Sequence, residues 1–337
     1  MTRAQTPVLD CRTFSTEDGG SDWAPSARAA HPVLERDYTV PTPMMKRAYD
    51  IVRDYVWARR TGVVFYASPR TGKTWCARAI REKLNEEFPS VYTLMVSVRS
   101  SLRYSDAHLP RLILEASAHA LASGNKPAKL FINAVNDIRV NVKARGGTQF
   151  VMLIDELQLL NEGDLQQLVC LQNTLELNKV KMTAVSFAQP SIIHRRTALM
   201  ESSDQQIIAR LLTRPVLFEG CTSSKDLAVL LQAYDEHSEW PEGSGCSYTC
   251  FFFPLAFEHG FRLLHSKDRL WDALTRASGN SGSAVSMELL SLTIEHLLLA
   301  LRREDGINFT ISTDEIETAV FNCSFNSFSE VPSDCAT

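Results

Sequence analysis

The chain has little that would mark a membrane, secreted or metal-binding protein. No apolar run approaches the roughly twenty residues of a membrane-spanning helix. The opening Met1-Thr2-Arg3-Ala4-Gln5-Thr6-Pro7 lacks the hydrophobic segment of a signal peptide, so a cytoplasmic location without a membrane partner is expected. The eight cysteines are scattered. Only Cys246 and Cys250 lie close together, and no second pair or suitably spaced histidine completes a zinc pattern, so free thiols are expected. A large excess of charge of one sign is also lacking. A net charge of −4 gives no global attraction to nucleic acid, and any DNA contact must come from a local basic stretch or from assembly. What is present is an ordinary globular composition: 337 residues, 45% hydrophobic and 22% charged, enough for a large core and a second small domain.

The most informative stretch is Ala67-Ser68-Pro69-Arg70-Thr71-Gly72-Lys73-Thr74. It reads as a phosphate-binding loop with alanine at its first glycine. Such a cradle needs a tight turn whose backbone N–H groups converge on anionic oxygens. Gly72 permits close backbone approach, Lys73 brings a cation to the β- and γ-phosphates, and Thr74 offers a hydroxyl to Mg²⁺. The apolar run Val63-Val64-Phe65-Tyr66 predicts a strand before the loop. Cys76, Ile80 and Leu84 predict a helix after it. Ser68 through Trp75, with Asp155, form the expected nucleotide-binding set for ATP.

A second motif agrees. Phe150-Val151-Met152-Leu153-Ile154-Asp155-Glu156 reads as a buried parallel strand whose tip projects two acids, about eighty residues after the loop. Asp155 is expected to support Mg²⁺ with Thr74, and Glu156 to polarise the attacking water. That division suits phosphoryl transfer, which needs charge neutralisation and positioning.

Residues 1–40, rich in Ser, Thr, Pro, Asp and Gly, read as an extended arm without its own core. Residues 41–222 alternate helices and strands, which implies an α/β core with a parallel sheet covered by helices on both faces. Strands are expected at Tyr92–Val98, Lys181–Phe187 and Val216–Phe218 in addition to the two above. Residues 223–325 turn helical throughout, with an insertion near 240–253, and would form a lid over the site. Residues 326–337 read as a frayed tail.

The order of these parts resembles the AAA+ ATPases, and within them the transposon target-selection regulators of the TniB/TnsC type, relatives of the ExeA-like and Cdc6/ORC-like branch. The resemblance spans about Asp37 to Asn322. It rests on Ala67–Thr74, on Ile154-Asp155-Glu156-Leu157-Gln158, and on Phe187-Ala188-Gln189-Pro190 at a strand end. It also draws on Gln205-Gln206-Ile207-Ile208-Ala209-Arg210-Leu211, on Ser247–Pro254 with Gly260–Leu263, and on Ser278–Gly282. The resemblance implies a P-loop AAA+ core with an all-helical lid, and Arg210 directed at a neighbour's nucleotide. Arg214 is the competitor for that role, and a plain surface arginine is the plain alternative. Ser281 and Ser283 stand where many members carry a lid arginine, which implies slow, regulatory ATP hydrolysis.

Gln189, at a strand tip, carries an amide that could orient the hydrolytic water, or it is a turn residue before Pro190. Val98-Arg99-Ser100-Ser101-Leu102-Arg103-Tyr104 leaves the second strand as a polar loop with two cations. Arg99, Ser100 and Arg103 are the candidate DNA contacts, since the resembling family tracks DNA backbone with elements of this region. The alternative is a solvated loop. Lys126, Lys129, Lys143 and Arg145 read as solvated helix charges.

The expectation is an ATP- and Mg²⁺-dependent ATPase that assembles with itself on duplex DNA as a ring or filament. It would join a target-selection protein to a transposase. The competing readings are a helicase-loader or initiator ATPase, and a signalling or secretion-linked ATPase that does not touch DNA.

Overall fold

Both apolar runs that end in candidate site residues are strands of one parallel sheet. A computed structural model of the chain describes residues 31–100, 105–124, 126–202, 204–279 and 284–328, with side chains as far as residue 324. The expected arm before residue 31, Ser101 to Tyr104, the turn at 280–283 with Ser281 and Ser283, and the tail from 329 lie outside the described residues. The chain divides into two units. One is Met44–Glu219; the other joins the chain up to Pro43 with Gly220 onward.

In the first unit the strands are β1 (Gly62–Tyr66), β2 (Tyr92–Ser97), β3 (Gln149–Asp155), β4 (Lys181–Ala188) and β5 (Pro215–Leu217), in the order β2-β3-β4-β1-β5. Every neighbouring pair is parallel. All seven residues of β3 are buried, as a central strand covered on both faces requires. Helices α1 (Pro43–Trp57), α2 (Lys73–Glu87), α3 (His108–Ala116), α4 (Pro127–Ala144), α5 (Glu162–Leu177), α6 (Ser191–Glu201) and α7 (Gln205–Leu211) supply the cover. Alternation along the strands sends side chains to two separate cores. Val64, Met152, Ile154 and Ala184 pack with α3, α4 and α5 on one face. Val63, Phe65, Leu153, Val185 and Phe187 pack with α1 and α2 on the other. Phe65 and Phe187 stack with centroids 5.3 Å apart, an aromatic pair of about 1 kcal/mol beyond its buried area. At α5 the Asn161 side chain accepts from Asp164 N–H, and Asp164 reciprocates at Asn161 N–H. This capping box starts the helix after the acidic strand tip.

The second unit is helical: α8 (Ser224–Gln232), α9 (Tyr248–Phe252), α10 (Pro254–Glu258), α11 (Lys267–Ala277), α12 (Met287–Leu301) and α13 (Thr313–Phe328). Residues 31–40, which the sequence reading places in a coreless arm, pack instead into this unit. Val33 is buried there. Tyr38 Oη lies 2.7 Å from Tyr234 Oη and donates to Glu295 Oε1 at 3.0 Å, and Arg36 pairs with Glu295 at 3.3 Å. The stretch near 240–253 also joins this core, with Cys246, Phe252 and Phe253 buried. No helix among the described residues is long and apolar enough to cross a membrane.

Candidate nucleotide site

Parallel strands put all their C-terminal ends on one edge, which is where ligands bind in sheets of this kind. With β3, β4 and β1 adjacent, the octet after β1, Asp155-Glu156 at β3 and Gln189 after β4 share that edge. Ala67 N–H donates to Ala188 O at 3.1 Å, which fastens the loop to the tip of β4. Ala67 itself is buried in the core and is not among the residues with left-handed backbone. The first loop position therefore makes no demand that only glycine could meet. Gly72 is the position that does: it caps α2 at φ 89°, ψ 16°, a conformation that a Cβ would oppose by about 1–2 kcal/mol.

Ser68, Pro69 and Arg70 are exposed, and Arg70 has a left-handed φ of 64°. Thr71 Oγ1 donates to Ser68 O at 2.9 Å and closes the turn. The buried Lys73 ammonium donates to Ala67 O at 3.0 Å and Ser68 O at 2.8 Å, lying inside the loop's concave side. Burial pushes its pKa down, against the opposing pull of Glu156 and Asp155. A phosphate would restore the partner that burial removes. Thr74 Oγ1 donates to Asp155 Oδ2 at 2.7 Å. Burial raises the Asp155 pKa, partly offset by that hydrogen bond. Trp75 is half-buried on α2 beneath the Arg78 guanidinium, 4.9 Å from its ring centroid.

Thr74 and Asp155 are hard oxygen donors, the type that suits Mg²⁺. Elsewhere, among the described residues, no group of three His, Cys, Asp or Glu side chains could hold a metal ion. None of the described cysteines is in a disulfide.

Glu156 leaves β3 in a left-handed conformation, φ 60° and ψ 44°, which a non-glycine residue adopts only when its surroundings hold it there. Gln158 Nε2 donates to Glu156 Oε2, and Gln189 Nε2 lies 3.3 Å from the same oxygen. Gln158 Oε1 accepts from Gln189 N–H at 3.0 Å. The sequence marks Glu156 and Gln189 and gives Gln158 no role. Its position two residues after the acid was the only available signal.

Two further expectations fall at different places. Arg99 and Ser100 leave β2 on the same edge, where Val98 N–H bonds to Asp155 O at 3.1 Å. Both are exposed. The Arg99 guanidinium pairs with Glu115 at 2.7 Å, and its carbonyl lies 3.1 Å from His108 Nε2. Arg103 lies outside the described residues. His108 Nδ1 lies 2.9 Å from Asp164 Oδ2, so this histidine, which the sequence reading missed, ties the loop's base to α5.

Arg210 and Arg214 sit at the other end of the sheet. The Arg210 carbonyl stands 2.6 Å from where a Cβ on Gly62 would be, at the first residue of β1. Five residues at about 3.3 Å each separate Gly62 from the loop, so Arg210 lies too far away to touch its own chain's phosphates. Among the described residues the Arg210 side chain makes no hydrogen bond or salt bridge, and its charge acts at longer range on Glu176. Arg214 is exposed just before β5.

A five-stranded parallel sheet with a phosphate loop after β1 and an acidic tip on β3 is the fold of an AAA+ P-loop core. Residues 58–196 match the family AAA_22, an AAA domain. Among solved structures, the chain is similar to the Aeropyrum pernix ORC2 protein in its ADPNP–ADP complexes, with TM-score 0.59 and 12% identity over 87% of this chain and 71% of that one. It is also similar to the Aeropyrum pernix ORC1 protein in complex with DNA, with TM-score 0.53 and 13% identity over 86% and 68%. Likeness at such identity is likeness of fold. No curated protein sequence matches the chain.

Proposed function

We propose that the chain is an ATP-hydrolysing, DNA-associated AAA+ protein whose nucleotide site is completed by a neighbouring copy. One observation carries this reading. Lys73, Thr74, Asp155, Glu156 and Gln189 share one edge of the sheet, while Arg210, the arginine their chemistry still calls for, lies at the opposite edge. Residues 68–75 hold the nucleotide. Lys73 neutralises phosphate charge, and Thr74 and Asp155 would hold Mg²⁺, which would supply charge neutralisation for the triphosphate. Glu156 accepts a hydrogen bond from the attacking water, with Gln189 beside it. The neighbour's Arg210 contacts the γ-phosphate oxygens.

Duplex DNA binds along the edge that carries Arg99 and Ser100, with Arg103 as a further contact expected from the sequence, through phosphate contacts that do not read sequence. The fold shared with an ORC1 protein in complex with DNA supports a DNA role. The finer reading is a regulator that joins a target-selection protein to a transposase, with slow turnover. It is supported by the sequence resemblance through Gln205–Leu211 and Ser247–Pro254.

Sedimentation of the full chain with duplex DNA tests the reading. Co-sedimentation as an oligomer is expected with ATP or a non-hydrolysable analogue and Mg²⁺, and not with ADP. The Lys73→Ala variant should fail to assemble. DNA binding indifferent to nucleotide would contradict the shared-site reading. An initiator-type ATPase would require a helicase partner; a transposition regulator would retain a transposase.

A further inference from the structure

The Gln158 amide has a fully determined orientation. A backbone N–H can only donate, so the group facing Gln189 N must be the carbonyl Oε1, at 3.0 Å. That leaves Nε2 to face Glu156 Oε2, which accepts. The bridge joins the tips of β3 and β4, the two strands that carry the acid and its neighbouring amide. The short turn Leu157–Leu159 brings Gln158 back under Glu156, closed by Leu159 N–H donating to Glu156 O at 2.9 Å, with Leu157 buried as its anchor. Two amide donors, from Gln158 and Gln189, converge on the one oxygen Oε2. No described hydrogen bond reaches the other oxygen, Oε1.

We propose that Gln158 is a positioning residue for ATP hydrolysis: its amide fixes the Glu156 carboxylate so that Oε1 alone is presented to the attacking water, and holds the Gln189 backbone in register with it. This rests on the reading of Glu156 as the group that activates water. Glutamine suits the task because one planar group offers a donor and an acceptor at a fixed separation. Leucine offers neither, and glutamate offers only acceptors.

The test is steady-state ATP hydrolysis by the full chain with Mg²⁺ and duplex DNA, together with binding of a non-hydrolysable ATP analogue. Misplacing a reacting group by about an ångström costs on the order of 100-fold. Gln158→Leu is expected to lower kcat 10- to 100-fold, with KM and analogue affinity within twofold of wild type. Gln158→Glu is nearly the same size and keeps an acceptor for Gln189 N–H, so the fold is retained. It should lose kcat to the same extent because the donor to Glu156 is gone. Turnover within threefold of wild type in both variants overturns the proposal. So does a parallel loss of kcat, analogue affinity and thermal stability, which marks a purely structural residue. The Glu156→Gln variant separates the two levels of the argument. If it abolishes turnover while Gln158 variants stay active, only the positioning role fails. If it leaves turnover unchanged, the reading of Glu156 fails, and the role of Gln158 with it.

Discussion

Thr74 Oγ1 donates to Asp155 Oδ2 across 2.7 Å, joining the first turn after the phosphate loop to the tip of the third strand. The bond links the two residues proposed to share Mg²⁺, and it sets them in a buried place where a carboxylate is costly to ionise.

Burial raises the Asp155 pKa, so the folded chain binds a proton at this carboxyl more readily than the unfolded chain does. The sign follows. The stabilising share of this group is complete well below the usual carboxylate range and is lost as pH rises through the raised value, leaving a net penalty at neutral pH. Asp155→Asn removes the charge and keeps an acceptor for Thr74. At pH 7 its thermal midpoint should rise by about 2–4 °C, and the gap to wild type should close as pH falls toward 4. Mg²⁺-dependent turnover should be lost at the same time. Thermal melts across pH check this, and equal midpoints at every pH would contradict it.

Gly62 links the base of β1 to Arg210. A methyl group there would meet the Arg210 carbonyl at 2.6 Å, so α7 must shift. Gly62→Ala should destabilise the first unit by about 1–3 kcal/mol. It should also lower turnover in the assembled state by about 10- to 100-fold, on the scale of a displaced catalytic group, while leaving analogue affinity unchanged. Paired binding and hydrolysis measurements separate these effects.

Residues 31–40 carry a pH-dependent contribution. The buried His31 ring packs with Phe251, Phe252 and Tyr248 at centroid distances of 4.3, 4.9 and 5.1 Å. Its Nδ1 accepts from Val33 N–H, and burial pushes its pKa down to about 4. A depressed histidine pKa contributes stability that is present above about 6.5 and lost as pH falls through about 4, on the order of 3 kcal/mol in all. His31→Asn keeps a capping acceptor without the titration. Hydrogen exchange at residues 33–40 should accelerate below pH 6 in wild type more steeply than in the variant. Parallel profiles would refute the assignment.

The strand that precedes the phosphate loop and the strand that carries the acids were legible because both are unbroken apolar runs ending in chemistry. Expected strands at 92–98, 181–187 and 216–218 fall within a residue of β2, β4 and β5. Strand order was not legible: β1 lies between β4 and β5, and each crossover is made by contacts between residues far apart in the chain. The same reason hid residues 31–40. Their composition looks coreless, and the partners that bury them, Tyr234 and Glu295, lie 196 and 257 residues beyond Tyr38. Residue type was enough to single out Lys73, Thr74, Asp155 and Glu156, which the structure brings to one end of the sheet. Gln158 and His108 escaped because a polar residue in a turn acquires a role only from the geometry of its neighbours.

The shared site is tested most directly by mixing two inactive variants. Glu156→Gln keeps the arginine and lacks the acid; Arg210→Ala keeps the acid and lacks the arginine. Each should hydrolyse ATP at a small fraction of the wild-type rate on duplex DNA. Mixed in equal amounts they form junctions in which an intact acid meets an intact arginine, and turnover should recover to a substantial fraction of wild type. A mixture that hydrolyses ATP no faster than the sum of its two components would contradict a site built from two copies of this chain.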